Sequence, residues 1–129
     1  MWQVKLIVFT NDIKKCSNIS VGKSPTNSLS FDVFIFNGNV KRFDSVNDLP
    51  VPQMGWNLVN SGSDNRFNGY YYFANSYFAE TGSNTIAKCD YGVEYSAIVK
   101  KDNYLGCQFH PEKSSNIGEQ FLKIFLEQL

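Results

Sequence analysis

Gly106-Cys107-Gln108-Phe109-His110-Pro111-Glu112-Lys113-Ser114 is the stretch on which the reading of this chain turns. With Leu105 before it, its first half is apolar and strand-like; its second half breaks at a proline. Proline fixes its own φ, has no N–H to give to a ladder, and biases the residue before it toward extended backbone. His110 therefore stands at the end of a strand, the edge where α/β sheets keep their sites, and Pro111 sets a turn that lets Glu112 come back toward the imidazole. A carboxylate in that place holds one ring nitrogen protonated. The other nitrogen is left to take a proton from a thiol and return it to a leaving amine. Taken alone, a His-x-Glu is more often an ordinary sheet-edge histidine beside a solvated carboxylate. His110 is, however, the only histidine in the chain, and its neighbours argue for more.

Downstream, Ile117, Phe121, Ile124, Phe125 and Leu129 fall on one helical face while Glu119, Lys123 and Glu127 point elsewhere, and Asn116 with Glu119 forms a capping pair. The pattern predicts one terminal amphipathic helix. Upstream the period is that of strands. Aromatic and β-branched runs at 70–78, 85–89, 95–99 and 105–109 are separated by Gly82-Ser83-Asn84, Tyr91-Gly92 and Lys100-Lys101-Asp102-Asn103. A shorter strand at 54–59 follows Leu49-Pro50-Val51-Pro52, and 61–68 is a polar loop. Runs at 31–36 and 40–43 flank Asn37-Gly38-Asn39 and read as a hairpin or bulged strand. Residues 4–9 form a first strand, and the Ser-, Asn- and Lys-rich 14–30 reads as loop.

The heptapeptide Gln108-Phe109-His110-Pro111-Glu112-Lys113-Ser114 resembles, residue for residue, the signature of class I glutamine amidotransferases, whose triad is a cysteine plus this histidine and this glutamate. The likeness continues upstream through Met54-Gly55-Trp56-Asn57, Tyr72-Phe73-Ala74-Asn75-Ser76-Tyr77, Asp90-Tyr91-Gly92 and Ser96-Ala97-Ile98-Val99, in order, and is strongest to the glutaminase subunit of imidazole glycerol phosphate synthase. It spans residues 38–129; residues 1–30 match nothing in it. The resemblance implies an α/β fold, or α+β for a truncated piece: a single domain over 1–129 that is the strand-rich C-terminal part, ended by the helix. It implies hydrolysis of the glutamine side-chain amide through a γ-glutamyl thioester, with ammonia passed to a synthase partner, His110 as general base and acid, and Glu112 as its orienter. Ser76 and Tyr77 match positions beside bound glutamine, and Met54, Trp56 and Asn57 match the segment at the synthase interface. Trp56 reads equally well as a core residue. Gln53 and Asn75 both stand where the family usually has histidine.

A class I glutaminase needs its nucleophile on a sharp strand-to-helix elbow, Gly-x-Cys-x-Gly, because glycines permit the strained turn and the close approach of the oxyanion-hole amides. The 129 residues contain no such pentapeptide. Cys16 precedes the resemblance but has neither glycine nor an apolar helix beside it; its neighbouring lysines make it a weak candidate nucleophile. Cys107 is an odd number of residues from His110 on a strand and is aimed away from it, and Cys89 reads as a small buried hydrophobe.

Composition narrows the partners. Twelve basic and twelve acidic side chains cancel, while hydrophobic residues reach 43% and aromatics 16%, which points away from disorder, nucleic acid and anionic membranes. There is no run of eighteen apolar residues and no leader-like cleavage pattern, so a cytoplasmic protein is expected. Three widely spaced cysteines without a CxxC argue against a disulfide framework and a zinc knuckle, and no metal or cofactor is expected. A sheet missing its first strands would expose an edge, which predicts a homodimer or another protein partner, with 4–9 filling an edge. Three functions compete: a truncated or degenerate glutaminase module inactive alone, a non-enzymatic protein- or ligand-binding module, and a thiol enzyme completed by Cys16 or by another chain.

Overall fold

The computed structural model describes residues 5–10, 17–20, 29–30, 39–44, 48–102 and 104–127, with side chains from residue 39 onward. Ten strands and one helix follow in the order β1 (Lys5–Thr10), β2 (Ser17–Ser20), β3 (Leu29–Ser30), β4 (Asn39–Arg42), β5 (Gln53–Asn60), β6 (Gly69–Asn75), β7 (Tyr77–Ala79), β8 (Thr85–Asp90), β9 (Glu94–Lys101), β10 (Tyr104–Cys107) and α1 (Ser115–Glu127). Seven strands form one sheet in the order β2-β1-β10-β9-β8-β5-β6, and β3-β4-β7 form a second. Every described pairing is antiparallel. This is the strand-rich, helix-ended architecture of the α/β class that the sequence predicts, with α+β character of its own.

Three expectations change. The polar stretch 14–30 is not loop throughout: Ser17–Ser20 and Leu29–Ser30 are strands. Ser-Asn-Ile-Ser shows no apolar alternation because an edge strand is held by backbone bonds to its neighbour, here β1 in the register Lys5↔Ser20 to Val8↔Ser17. The single run predicted at 70–78 is cut at Ser76, where the chain leaves the seven-stranded sheet and β7 joins β4 instead. The helix begins ahead of the predicted cap. Gly118 N–H donates to Ser114 O over 3.2 Å, which makes Ser114 the residue closing the first turn, while Asn116 lies inside the helix and Glu119 pairs with Lys123 at 3.3 Å. The hairpin partner at 31–36 lies outside the described residues.

The strand predicted at 4–9 is seen as β1 and covers the edge of β10, with β2 covering β1 in turn. The expected edge-filling role of 4–9 is thus seen, while β2 and β6 end the described sheet.

In β5 the period of two is clear: Gln53 and Val59 are buried, while Met54, Trp56 and Leu58 face outward. In β9 it disappears, because residues 95–99 are all buried and the strand is enclosed on both faces. Helix α1 closes one end of this core. Phe121, fully buried, meets the ring of Phe109 edge-on at 5.1 Å and that of Tyr71 at 6.4 Å, and Tyr71 and Phe109 stack at 4.0 Å. Burying each such ring stabilises the fold by about 1.5–3 kcal/mol, and edge-to-face pairing adds about 0.5–1.5 kcal/mol. The residue after Phe109 is His110, so this aromatic cluster anchors the site.

Candidate active site

Tyr72 lies on the edge strand β6 and directs its N–H and C=O away from β5. The segment after β10 docks there: His110 N–H donates to Tyr72 O at 2.9 Å, and Tyr72 N–H donates to Ser114 Oγ at 3.0 Å. Residues Pro111–Lys113 make a single 3-10 turn, closed by Lys113 N–H on His110 O and Ser114 N–H on Pro111 O, both 3.1 Å. Proline at the first position of that turn loses nothing by lacking an N–H, since the first donors of a helical turn have no partner within it. The turn brings Glu112 Oε1 to 2.9 Å from His110 Nδ1. The imidazole is largely sheltered, with 15% of its side chain exposed, whereas 56% of the Glu112 side chain is open to solvent. The strand predicted to run to Phe109 ends at Cys107, so His110 stands on the loop after β10, and the carboxylate two residues later meets its ring there.

Ser76 and Tyr77 sit at the junction of the two sheets. Ser76 O accepts Phe43 N–H at 2.9 Å, and Tyr77 O accepts Asn75 Nδ2 at 3.0 Å. What ties this junction to the histidine is Gln108, buried at 3% exposure: its Nε2 donates to Tyr77 O at 2.5 Å and its Oε1 accepts Ala79 N–H at 3.2 Å. The side-chain amide works as a piece of strand between β7 and the loop carrying His110. The sequence alone assigns Gln108 no role. Its signal is a polar amide inside an apolar run, since a buried amide needs partners for both its oxygen and its nitrogen.

The remaining candidates fall in different places. Met54 and Trp56 lie on the outer face of β5, 65% and 51% exposed, beside exposed Leu58 and, on β6, Tyr70. Trp56 is therefore not core, and its ring meets that of Tyr72 edge-on at 6.2 Å. Asn57, at the opposite parity, points to the other face of β5 and bonds Gly55 O at 3.4 Å. Gln53 and Asn75, the two departures from the family pattern, are register partners across β5 and β6. Gln53 accepts the Tyr95 hydroxyl at 2.6 Å and donates to Cys89 Sγ at 3.8 Å, deep in the core; burial holds the Tyr95 phenol well above its usual pKa.

Neither described cysteine serves the histidine. Cys107 is fully buried and its thiol donates to Phe109 O at 3.5 Å, and Cys89 is 1% exposed. Burial pushes both thiols above the usual range, the reverse of what a nucleophile requires. Cys16 lies outside the described residues. Among the described residues no three of His, Cys, Asp and Glu gather to hold a metal ion, and no helix is long and apolar enough to cross a membrane. Two clefts of about 470 and 620 Å3 open elsewhere on the surface, and neither is lined by His110, Ser76 or Tyr77.

Comparison with known proteins identifies the family. The family model for glutamine amidotransferase class-I matches residues 58–129. Among curated relatives, the imidazole glycerol phosphate synthase subunit HisH of Shewanella loihica is 44% identical over 94 residues, covering 69% of this chain and 42% of the relative. The HisH subunit of Salmonella typhimurium is 49% identical over 85 residues, 61% of this chain and 43% of the relative. That named HisH 1 of Vibrio vulnificus is 44% identical over 96 residues, 70% and 47% respectively. The chain spans less than half the length of these relatives.

Proposed function

The chain belongs to the class I glutamine amidotransferase family, and from that premise we propose that it is a glutaminase-type module which retains the acid–base pair His110 and Glu112 but does not turn over glutamine alone. The observation that carries the reading is the 2.9 Å contact of His110 Nδ1 with Glu112 Oε1 at the end of β10. With Nδ1–H donated to the carboxylate, Nε2 carries the free lone pair. It takes the proton of an attacking thiol; the sulfur adds to the side-chain amide carbon of glutamine; and the protonated Nε2 returns its proton to the departing ammonia. Water then cleaves the thioester, Nε2 again taking a proton and handing it back to the sulfur. Glu112 stabilises the imidazolium at both steps. Tyr77, tied by Gln108 to the histidine segment, and its neighbour Ser76 are the residues that would line the glutamine.

The sulfur is what these residues lack. No Gly-x-Cys-x-Gly is present, and Cys89 and Cys107 are buried with raised pKa. The pair needs a thiol from Cys16 or from another polypeptide. A synthase-type subunit is the partner that the relatives' names point to, docking on the outer face of β5 and β6 through Met54 and Trp56, with Asn57 supporting the strand from behind. The same exposed face favours a second reading, a binding module without catalysis.

Ammonia release from glutamine by the 129-residue chain, alone and with a synthase-type subunit, separates these readings. No release is expected from the chain alone. Release that disappears in both Cys16→Ala and His110→Ala would overturn that expectation and make Cys16 the nucleophile. Binding of the subunit with no ammonia from any thiol source would leave only the binding module.

A further inference from the structure

We propose that Ser114 is a positioning residue for His110, its hydroxyl acting as the bridge that fastens the His110–Glu112 turn to the edge of the sheet. The inference rests on the reading of that pair as the acid and base. Two residues facing each other across antiparallel strands exchange two backbone bonds. His110 and Tyr72 make only one, His110 N–H to Tyr72 O. The second is lengthened by one hydroxyl: Tyr72 N–H donates to Ser114 Oγ, and Ser114 Oγ donates to His110 O at 2.6 Å. Only a group that accepts and donates at one atom completes that relay, which is what a hydroxyl does and a methyl does not.

The consequence falls on the imidazole. His110 O also accepts Lys113 N–H at 3.1 Å, so both of its lone pairs are engaged and the peptide plane between His110 and Pro111 is held from two sides. The direction in which the histidine side chain leaves the backbone, and the turn that returns Glu112 to Nδ1, both start from that plane. Glu112 is more than half exposed, and an exposed carboxylate left to itself samples several rotamers. Ser114 itself is fully buried, with its Cβ against Gly118 where a side chain would have to stand. Its hydroxyl therefore serves the interior relay and is not available to solvent or substrate.

Because the chain has one histidine, its imidazole gives one set of nitrogen resonances, and these report the tautomer directly. The full chain is labelled with nitrogen-15 and examined above the histidine titration. Wild type is expected to show the Nδ1–H tautomer, and Glu112→Gln to lose that preference. Ser114→Ala is expected to lose it too, with exchange of the Tyr72 amide accelerated about tenfold or more, the order set by one lost buried hydrogen bond, while Ala97 and Ile98 in β9 keep their protection. Val59→Ala, which loosens the core without touching the relay, should leave the tautomer as in wild type. Ser114→Ala retaining the wild-type tautomer while Glu112→Gln loses it would overturn the role of Ser114 and leave the acid–base pair standing. No Nδ1–H preference in wild type would overturn the pair itself, and the inference with it. If Ser114→Ala does not fold, the nearly isosteric Ser114→Cys, a weak donor and acceptor, replaces it with a partial loss expected. If neither folds, the wild-type Tyr72 amide decides: protection like that of Phe73 supports the bridge, and exchange at the rate of a free edge amide overturns it.

Discussion

Gly118→Ala sets two effects against each other, and the structure decides which wins. In a helix, alanine is favoured over glycine by about 1 kcal/mol, chiefly because glycine has more unfolded-state freedom to lose. On propensity alone the substitution stabilises. A Cβ at Gly118, however, would stand 2.0 Å from Pro111 O and 2.9 Å from Ser114 Cβ. The first contact is a backbone carbonyl in the turn that carries His110 and Glu112, so no side chain can rotate aside. Either α1 backs away from the turn, loosening Phe121 from Tyr71 and Phe109, or the turn itself moves. Overpacking of this kind costs about 1–3 kcal/mol, to be set against that gain, and a backbone clash belongs at the upper end of that range. The net expected effect is destabilisation by about 1–2 kcal/mol, read as a lower urea midpoint at unchanged slope. Gly82→Ala is the internal control. A Cβ at Gly82 would meet nothing within 4 Å, and its φ is not positive, so the expected shift there is zero or slightly upward. If Gly118→Ala raises the midpoint as Gly82→Ala does, the close approach of the helix and the His110–Glu112 turn is refuted.

Other perturbations reach other parts of the molecule. The Tyr71 phenol is pushed by burial up to about 12 from 10.0. The folded state holds that proton after the unfolded state has released it, so the contribution to stability is whole below pH 10 and is lost as pH rises from 10 to about 12; unfolding followed across that range should show a shallower alkaline decline in Tyr71→Phe. The same variant removes the bond of Tyr71 to Phe67 O at 3.0 Å, and a loss of about 1–2 kcal/mol at neutral pH is expected by urea titration. Gln108→Ala deletes two buried bonds to β7; a cost of about 2–4 kcal/mol is expected, with the Ala79 amide the first to lose exchange protection. Trp56→Ala should move the melting temperature little, because half of the side chain is already in water, yet abolish binding of a synthase-type subunit in a titration. A large loss of stability there would place Trp56 in a structural role instead.

The strands legible in the sequence were those whose side chains carry the reason for the strand. Residues 54–59, 85–89 and 95–99 announce themselves by aromatic and β-branched content, and β5, β8 and β9 are found there. Ser17–Ser20 carries little such content, Ile19 being its one β-branched residue, and what makes it a strand is its backbone register with β1. Ser76 shows the converse. Nothing in the apolar run around it marks the point at which the chain changes sheets, since that depends on where β4 lies in space.

The site divides in the same way. By itself the sequence set His110 just past a strand and before a proline turn, with a carboxylate two residues on, because proline imposes its own φ and biases the residue before it toward extended backbone. It also shows that Gly-x-Cys-x-Gly does not occur within these 129 residues. Only the tertiary structure decided what holds the pair: Tyr72 from a distant edge strand, Ser114 closing the relay, Gln108 reaching across to β7, and Gly118 leaving room for the turn. The contacts of Tyr72 and Gln108 join segments far apart in the chain, and each supplies a polar group with a partner that exists only once the sheet is folded.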